Sequence, residues 1–147
     1  VRTIVAERPV YTEIEHTADV GFELTAPGLT ASFERAAAAM FDLMFDLDSV
    51  GGGVHRIVSV SSRAGDLENM MVRWLTELLF LFDSERMICS AFTVRTLTKD
   101  LIEADVSGEV MDSSRHEIKT DIKAVTYHEL AVEKREGDWR VRVIFDT

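Results

Sequence analysis

Apolar residues recur along this chain with two periods. Leu29, Phe33, Ala36, Ala37, Met40, Phe41 and Met44 fall three and four apart, as on one face of a helix. Ala36 to Ala39 adds the strongest helix formers. The pattern predicts an amphipathic helix over Leu29–Asp46, with Thr30 or Ser32 as N-cap and a stripe that covers a sheet. A wider stripe, Leu67, Met70, Met71, Trp74, Leu75, Leu78, Leu79 and Phe82, predicts a second helix over Asp66–Ser84. Asp66 is its N-cap, Glu68 sits at the positive end of its dipole, and it is expected to be the most buried helix.

Elsewhere the period is two. Tyr11–Glu15 and Val20–Ala26 read as strands around a polar turn, His16–Gly21, that closes on glycine. Val54–Ser61 follows the joint Gly51-Gly52-Gly53, which lacks the Lys and Ser/Thr of a phosphate loop. Ile88–Leu97 and Leu101–Met111 flank the turn Thr98-Lys99-Asp100 as a hairpin. Asp112–Glu117 is a polar loop, and a long strand lies within Ile118–Lys134. Glu136-Gly137-Asp138 turns that strand into Trp139–Phe145, where Val141, Val143 and Phe145 share a face. Tight hairpins demand antiparallel pairs. The expected architecture is α+β: two layers, a mostly antiparallel β-sheet carrying two amphipathic helices.

At 147 residues the chain is one domain, with 1–10 as a short N-terminal extension. Its 46% apolar and 29% charged residues suit a packed core rather than disorder. No apolar run approaches a membrane span, and the N-terminus lacks the apolar core and cleavage site of a signal peptide. The chain reads as cytoplasmic. It opens on Val1 rather than Met, as a chain begun inside a longer one would.

Charge narrows the chemistry. Sixteen Lys and Arg face 26 Asp and Glu, a net charge of -10, with no basic run. Phosphate backbones are bound by basic patches through counterion release, so direct nucleic-acid binding is disfavoured. One cysteine, Cys89, excludes a disulfide or a cysteine metal site, and its apolar neighbourhood suggests a buried filler. The four histidines, His16, His55, His116 and His128, show no ligand spacing, and no GxSxG elbow occurs.

The carboxylates are more informative. Asp42, Asp46 and Asp48 gather at the negative end of the first helix, where acids need a cation, a basic neighbour or water. Asp19 stands in the Gly-closed turn. Asp146 ends an apolar strand beside the terminal carboxylate of Thr147. Adjacent anionic oxygens there suit a hard cation such as Ca²⁺, Mg²⁺ or Mn²⁺, which a third carboxylate from a loop would complete; a chance acidic ending is the plainer reading. On one continuous strand, Lys123 and Tyr127 would share a face; a solvated Lys beside a half-buried Tyr is the plainer reading of that pair.

Five segments, taken in order, resemble the archease family. They are His16-Thr-Ala-Asp-Val-Gly21, Ala39-Met-Phe-Asp-Leu-Met44, Trp74-Leu-Thr-Glu-Leu-Leu79, Ile122-Lys-Ala-Val-Thr-Tyr-His128 and Val143-Ile-Phe-Asp-Thr147. The first and the last two are the specific ones. Thr147 stands where Ile is common, and a short extension precedes Tyr11. The resemblance implies a non-enzymatic accessory of the tRNA-splicing RNA ligase, one that promotes guanylylation of the ligase's histidine and sustains multiple turnover. It implies a divalent cation, Ca²⁺ foremost with Mn²⁺ or Mg²⁺ as alternatives, held by Asp19, Asp146 and Thr147. It also implies a functional role for Lys123; His16 joins it as a candidate for contact with the ligase. Two rivals stand beside this reading. One is a chaperone or binding module for RNA-modification proteins such as a tRNA methyltransferase. The other is a metal-dependent hydrolase with His16 as base.

Overall fold

The computed structural model describes residues 9–16 and 19–147, with positions 15 and 16 given by their backbone. Most of the expected extension, residues 1–10, and the turn's Thr17 and Ala18 lie outside the described residues. Among the described residues the order is β1 (Thr12–His16), β2 (Asp19–Ala26), α1 (Leu29–Met44), a short 3-10 helix (Leu47–Ser49), β3 (Val54–Ser61) and α2 (Leu67–Glu85). Then come β4 (Met87–Leu97), β5 (Leu101–Val110), β6 (Ala124–Val125), β7 (Ala131–Arg135) and β8 (Asp138–Asp146).

The α+β class is as expected, and every strand pair is antiparallel. The expected single sheet is instead two. One runs β1-β2-β8-β6 with β7 also on β8, and the other runs β3-β5-β4. Each helix packs against strands of both sheets, so one continuous core fills the space between them.

That placement reverses the expected burial of the helices. Ten of the 16 residues of α1 are buried, against eight of the 19 in α2. The alanine run 36–39 makes α1 thin enough to be packed on several sides, with Ala36, Ala37 and Ala39 fully covered. In α2 the stripe is covered, but Arg73, Thr76, Glu77 and Phe80 face water. Trp74 fills the centre, its indole N–H donating to the Phe33 carbonyl at 3.0 Å.

The caps follow the sequence in one helix only. Asp66 caps α2 by accepting from the Asn69 N–H at 2.9 Å. In α1 the N-cap is Gly28, not Thr30 or Ser32; no side chain caps it, and the Ser32 hydroxyl donates to the Gly28 carbonyl instead. At the far end of α1, Asp46 and Asp48 are exposed, but Asp42 is buried and accepts from the Tyr11 hydroxyl at 2.7 Å.

The long strand expected within Ile118–Lys134 is broken. Ala131 opposes Arg142, so an unbroken strand would set Tyr127 opposite Asp146; Ala124 stands there instead, three residues earlier. The chain leaves the edge of β8 between β6 and β7. Glu129 takes a left-handed conformation (φ 51°), and the Leu130 N–H closes a turn on the Tyr127 carbonyl.

Candidate functional site

The expected turn over His16–Gly21 is mostly strand. β1 and β2 pair as far as His16↔Asp19, so both residues belong to the ladder. Asp19 in turn pairs with Asp146, and Asp146 with Ala124. His16, Asp19, Asp146 and Ala124 therefore form one row across the end of the five-stranded sheet. Lys123 adjoins it, its backbone N–H donating to the Asp146 carbonyl at 2.8 Å. Thr147 follows β8 and is exposed. Residues that sequence reading scattered over 131 positions, from His16 to Asp146, thus meet at one sheet end.

Lys123 and Tyr127 do not share a strand face. Lys123 precedes β6, and Tyr127 lies beyond it, its hydroxyl accepting from the Asn69 amide on α2 at 2.8 Å. Thr126 holds the segment to β8 through its N–H and hydroxyl, both on the Ile144 carbonyl.

Alternation along β8 puts Val141, Val143 and Phe145 in the core. Asp146 therefore lies on the outer face with its partner Asp19. Register partners in an antiparallel pair sit about 4.5–5.5 Å apart at Cα, with side chains on one face. Like charges so placed repel. Other acids on this face are neutralised: Glu23 and Glu133 by Arg140, and Glu129 by Arg142 at 2.6 Å. Among the described residues no ion pair or side-chain hydrogen bond reaches the carboxylate of Asp19 or Asp146, and Lys123 points its ammonium at no carboxylate.

Gly21 brings these strands together. A Cβ there would lie 2.2 Å from the Val143 carbonyl oxygen and 3.0 Å from the Ile144 side chain. Only glycine permits that approach. Gly21 is thus a strand residue that sets the β2–β8 spacing two positions from Asp19, a role its reading as a turn closer missed.

A second cluster carries structure. His116 is buried and accepts the Asp112 N–H on Nδ1 at 3.0 Å, so its proton is on Nε2. That N–H faces the Ser49 carbonyl at 3.0 Å and Glu109 at 3.2 Å. Hydrogen bonds from Arg115 and the Gly51 N–H hold the Glu109 carboxyl below its usual range. The cluster ties the 112–117 loop to the 3-10 helix and the glycine joint. Burial pushes the Cys89 thiol up to about 12, which suits the filler role.

Among the described residues, no group of three or more His, Cys, Asp or Glu side chains is gathered to hold a metal. The donors described at the sheet end are two carboxylates, hard oxygens with no basic partner among the described residues, a set that fits a hard cation rather than a soft one. Among the described residues no helix is long and apolar enough to cross a membrane.

A small α+β protein of this sequence and fold has known counterparts. The model of the Archease protein family (MTH1598/TM1083) matches residues 11–147. Protein archease of Methanosarcina mazei is 38% identical over 140 residues, covering 92% of this chain and 94% of that one. Protein archease of Sulfurisphaera tokodaii is 38% identical over 133 residues, covering 90% and 94%. The solution structure of Methanobacterium thermoautotrophicum protein 1598 superposes with a TM-score of 0.77 at 31% identity, covering 93% of this chain and 98% of that one. A crystal structure from Thermotoga maritima, described as an archease and possible chaperone, shares the fold at 18% identity and a TM-score of 0.58, covering 91% and 94%. The chain belongs to the archease family.

Proposed function

We propose that this protein is a non-enzymatic, metal-dependent accessory of a tRNA-splicing RNA ligase, promoting the ligase's guanylylation and its repeated turnover. The observation that carries the reading is the Asp19↔Asp146 register pair, which among the described residues has no basic partner, on a face where other acids have one. Asp19, Asp146 and the Thr147 carboxylate would hold the cation. A hard cation bound there would supply positive charge able to neutralise phosphate oxygens.

The protein's own residues do the rest. β2 and β8 orient the two carboxylates from a rigid ladder, and the Lys123 N–H, donating to the Asp146 carbonyl, fixes that lysine's backbone at the same end. His16, in the same row, joins the contact surface. A net charge of -10 favours docking on a basic protein over direct contact with RNA.

Two measurements test this. Calorimetric titration with Ca²⁺ or Mn²⁺ should show one site in wild type that disappears in Asp146→Ala; equal binding by both would remove the metal assignment. Transfer of GMP to the cognate ligase should be stimulated by wild type and much less by Asp19→Ala, Asp146→Ala or Lys123→Ala, at thermal midpoints no lower than that of wild type. Full stimulation by these variants would unseat the residues. No stimulation by wild type would favour the chaperone reading, which the description of the Thermotoga maritima protein also suggests.

A further inference from the structure

Between the end of β3 and the first turns of α2 lies an open cleft of about 440 Å³, lined by Ser61, Ser62, Arg63, Asn69 and Arg73. In a chain of net charge -10, this lining holds two guanidinium groups, two hydroxyls and an amide, and no carboxylate. Arg73 has no ion-pair partner among the described residues. Arg63 is 79% exposed and meets Asp66 only at 3.6 Å. Asn69 is held in place: its backbone N–H is bound by the Asp66 cap, and its side-chain amide donates to the Tyr127 hydroxyl at 2.8 Å.

We infer that this cleft binds the phosphate groups of a small phosphorylated ligand. Guanidinium forks match tetrahedral oxyanions with paired, charge-assisted hydrogen bonds, and the serine hydroxyls add donors that turn to suit. The ligand is small because the overall charge opposes a polyanion, whereas a compact di- or triphosphate feels mainly the local guanidiniums. The inference is independent of the metal and ligase readings, since none of its residues belongs to the Asp19–Asp146 row.

Inorganic pyrophosphate is the probe. Titrated into the full-length protein at low salt, it should bind with 1:1 stoichiometry, and affinity should fall as salt rises. Arg73→Ala should weaken binding about tenfold, the loss of one charge-assisted contact. Arg73→Glu should abolish it, and Arg63→Ala should weaken it less. Both arginines are exposed, so the far-ultraviolet circular dichroism and thermal midpoint should not move. Unchanged affinity in folded Arg73→Glu, or no binding by wild type, would overturn the inference. A single-stranded RNA 12-mer is the second arm. Binding of the RNA weaker than that of pyrophosphate supports the small-ligand assignment; tighter, Arg73-dependent binding of the RNA would overturn it.

Discussion

The outer face of the β2–β8 pair carries acids at both ends and treats them in opposite ways. Toward the middle and the start of β8, Arg140 lies between Glu23 on one neighbouring strand and Glu133 on the other, and Arg142 pairs with Glu129. At the far end Asp19 and Asp146 oppose one another, and among the described residues no arginine pairs with either. Secondary structure, exposure and strand partners are much alike in both regions. The difference is whether the fold supplies its own cation. Where it does, the acids are part of the sheet's surface. At the far end no described residue supplies one, and the two carboxylates face one another across the ladder.

The largest expected effect comes from the residue that sets the spacing of both regions. Gly21→Ala would drive a Cβ into the Val143 carbonyl. The obstacle is backbone rather than a side-chain tip, so the cost should be near the upper end of overpacking, about 3 kcal/mol. Denaturant unfolding measures it. The Ca²⁺ response should fall with stability, because the Asp19↔Asp146 register depends on the same approach. A stable Gly21→Ala variant with full Ca²⁺ binding would show that the spacing is not needed.

Much of this frame is legible in the sequence. The 3.6 period locates both helices, and alternation with tight turns locates the hairpins, because those signals are local. What is not local is lost. The division into two sheets depends on which strand edges meet. The break in Ile118–Lys134 depends on β7 and β6 sharing one edge of β8 in different registers. The sequence leaves Asp42 to a cation, a basic neighbour or water, because its actual partner, Tyr11, lies 31 residues away. The candidate site follows the same rule. Asp19, Asp146, Lys123 and His16 stand out by motif, whereas the direct pairing of Asp19 with Asp146 is visible only once the strands are in register. Ser61, Arg63, Asn69 and Arg73 carry no motif at all, because two elements supply the cleft.

A smaller effect sharpens the contrast. Arg140→Ala should cost about 0.5–1 kcal/mol, the usual scale for a partly exposed ion pair, read as a shift in the urea midpoint. It should not create Ca²⁺ binding, because Glu23 and Glu133 flank β8 rather than oppose each other. Asp146→Asn should do the reverse: without metal it should be stabilised by about 0.5 kcal/mol through relief of cross-strand repulsion, and it should lose the Ca²⁺ response. Wild type at a hundredfold excess of Ca²⁺ over Kd should gain about 2.7 kcal/mol. Ca²⁺ binding gained by Arg140→Ala would mean that unneutralised charge alone makes the site, whatever the register.

The smallest effect tests an acid that the fold does neutralise. Hydrogen bonds from Arg115 and Gly51 N–H hold Glu109 below the ordinary value of 4.5. Asp112 is lowered in the same way, first by the Ser114 hydroxyl and its N–H. A carboxyl whose pKa is lower folded than unfolded binds fewer protons in the native state. Its contribution to stability is present above the unfolded value and is lost as pH falls through the folded one. Wild type should therefore lose thermal stability progressively below about pH 4.5. Glu109→Gln, which keeps the shape but cannot ionise, should be slightly less stable at neutral pH. It should also show a shallower decline on the acid side, the remaining slope coming from Asp112 and other paired acids. Thermal midpoints measured from pH 7 down to pH 3 decide it: curves that run parallel would mean that Arg115 and Gly51 hold Glu109 no more firmly folded than unfolded.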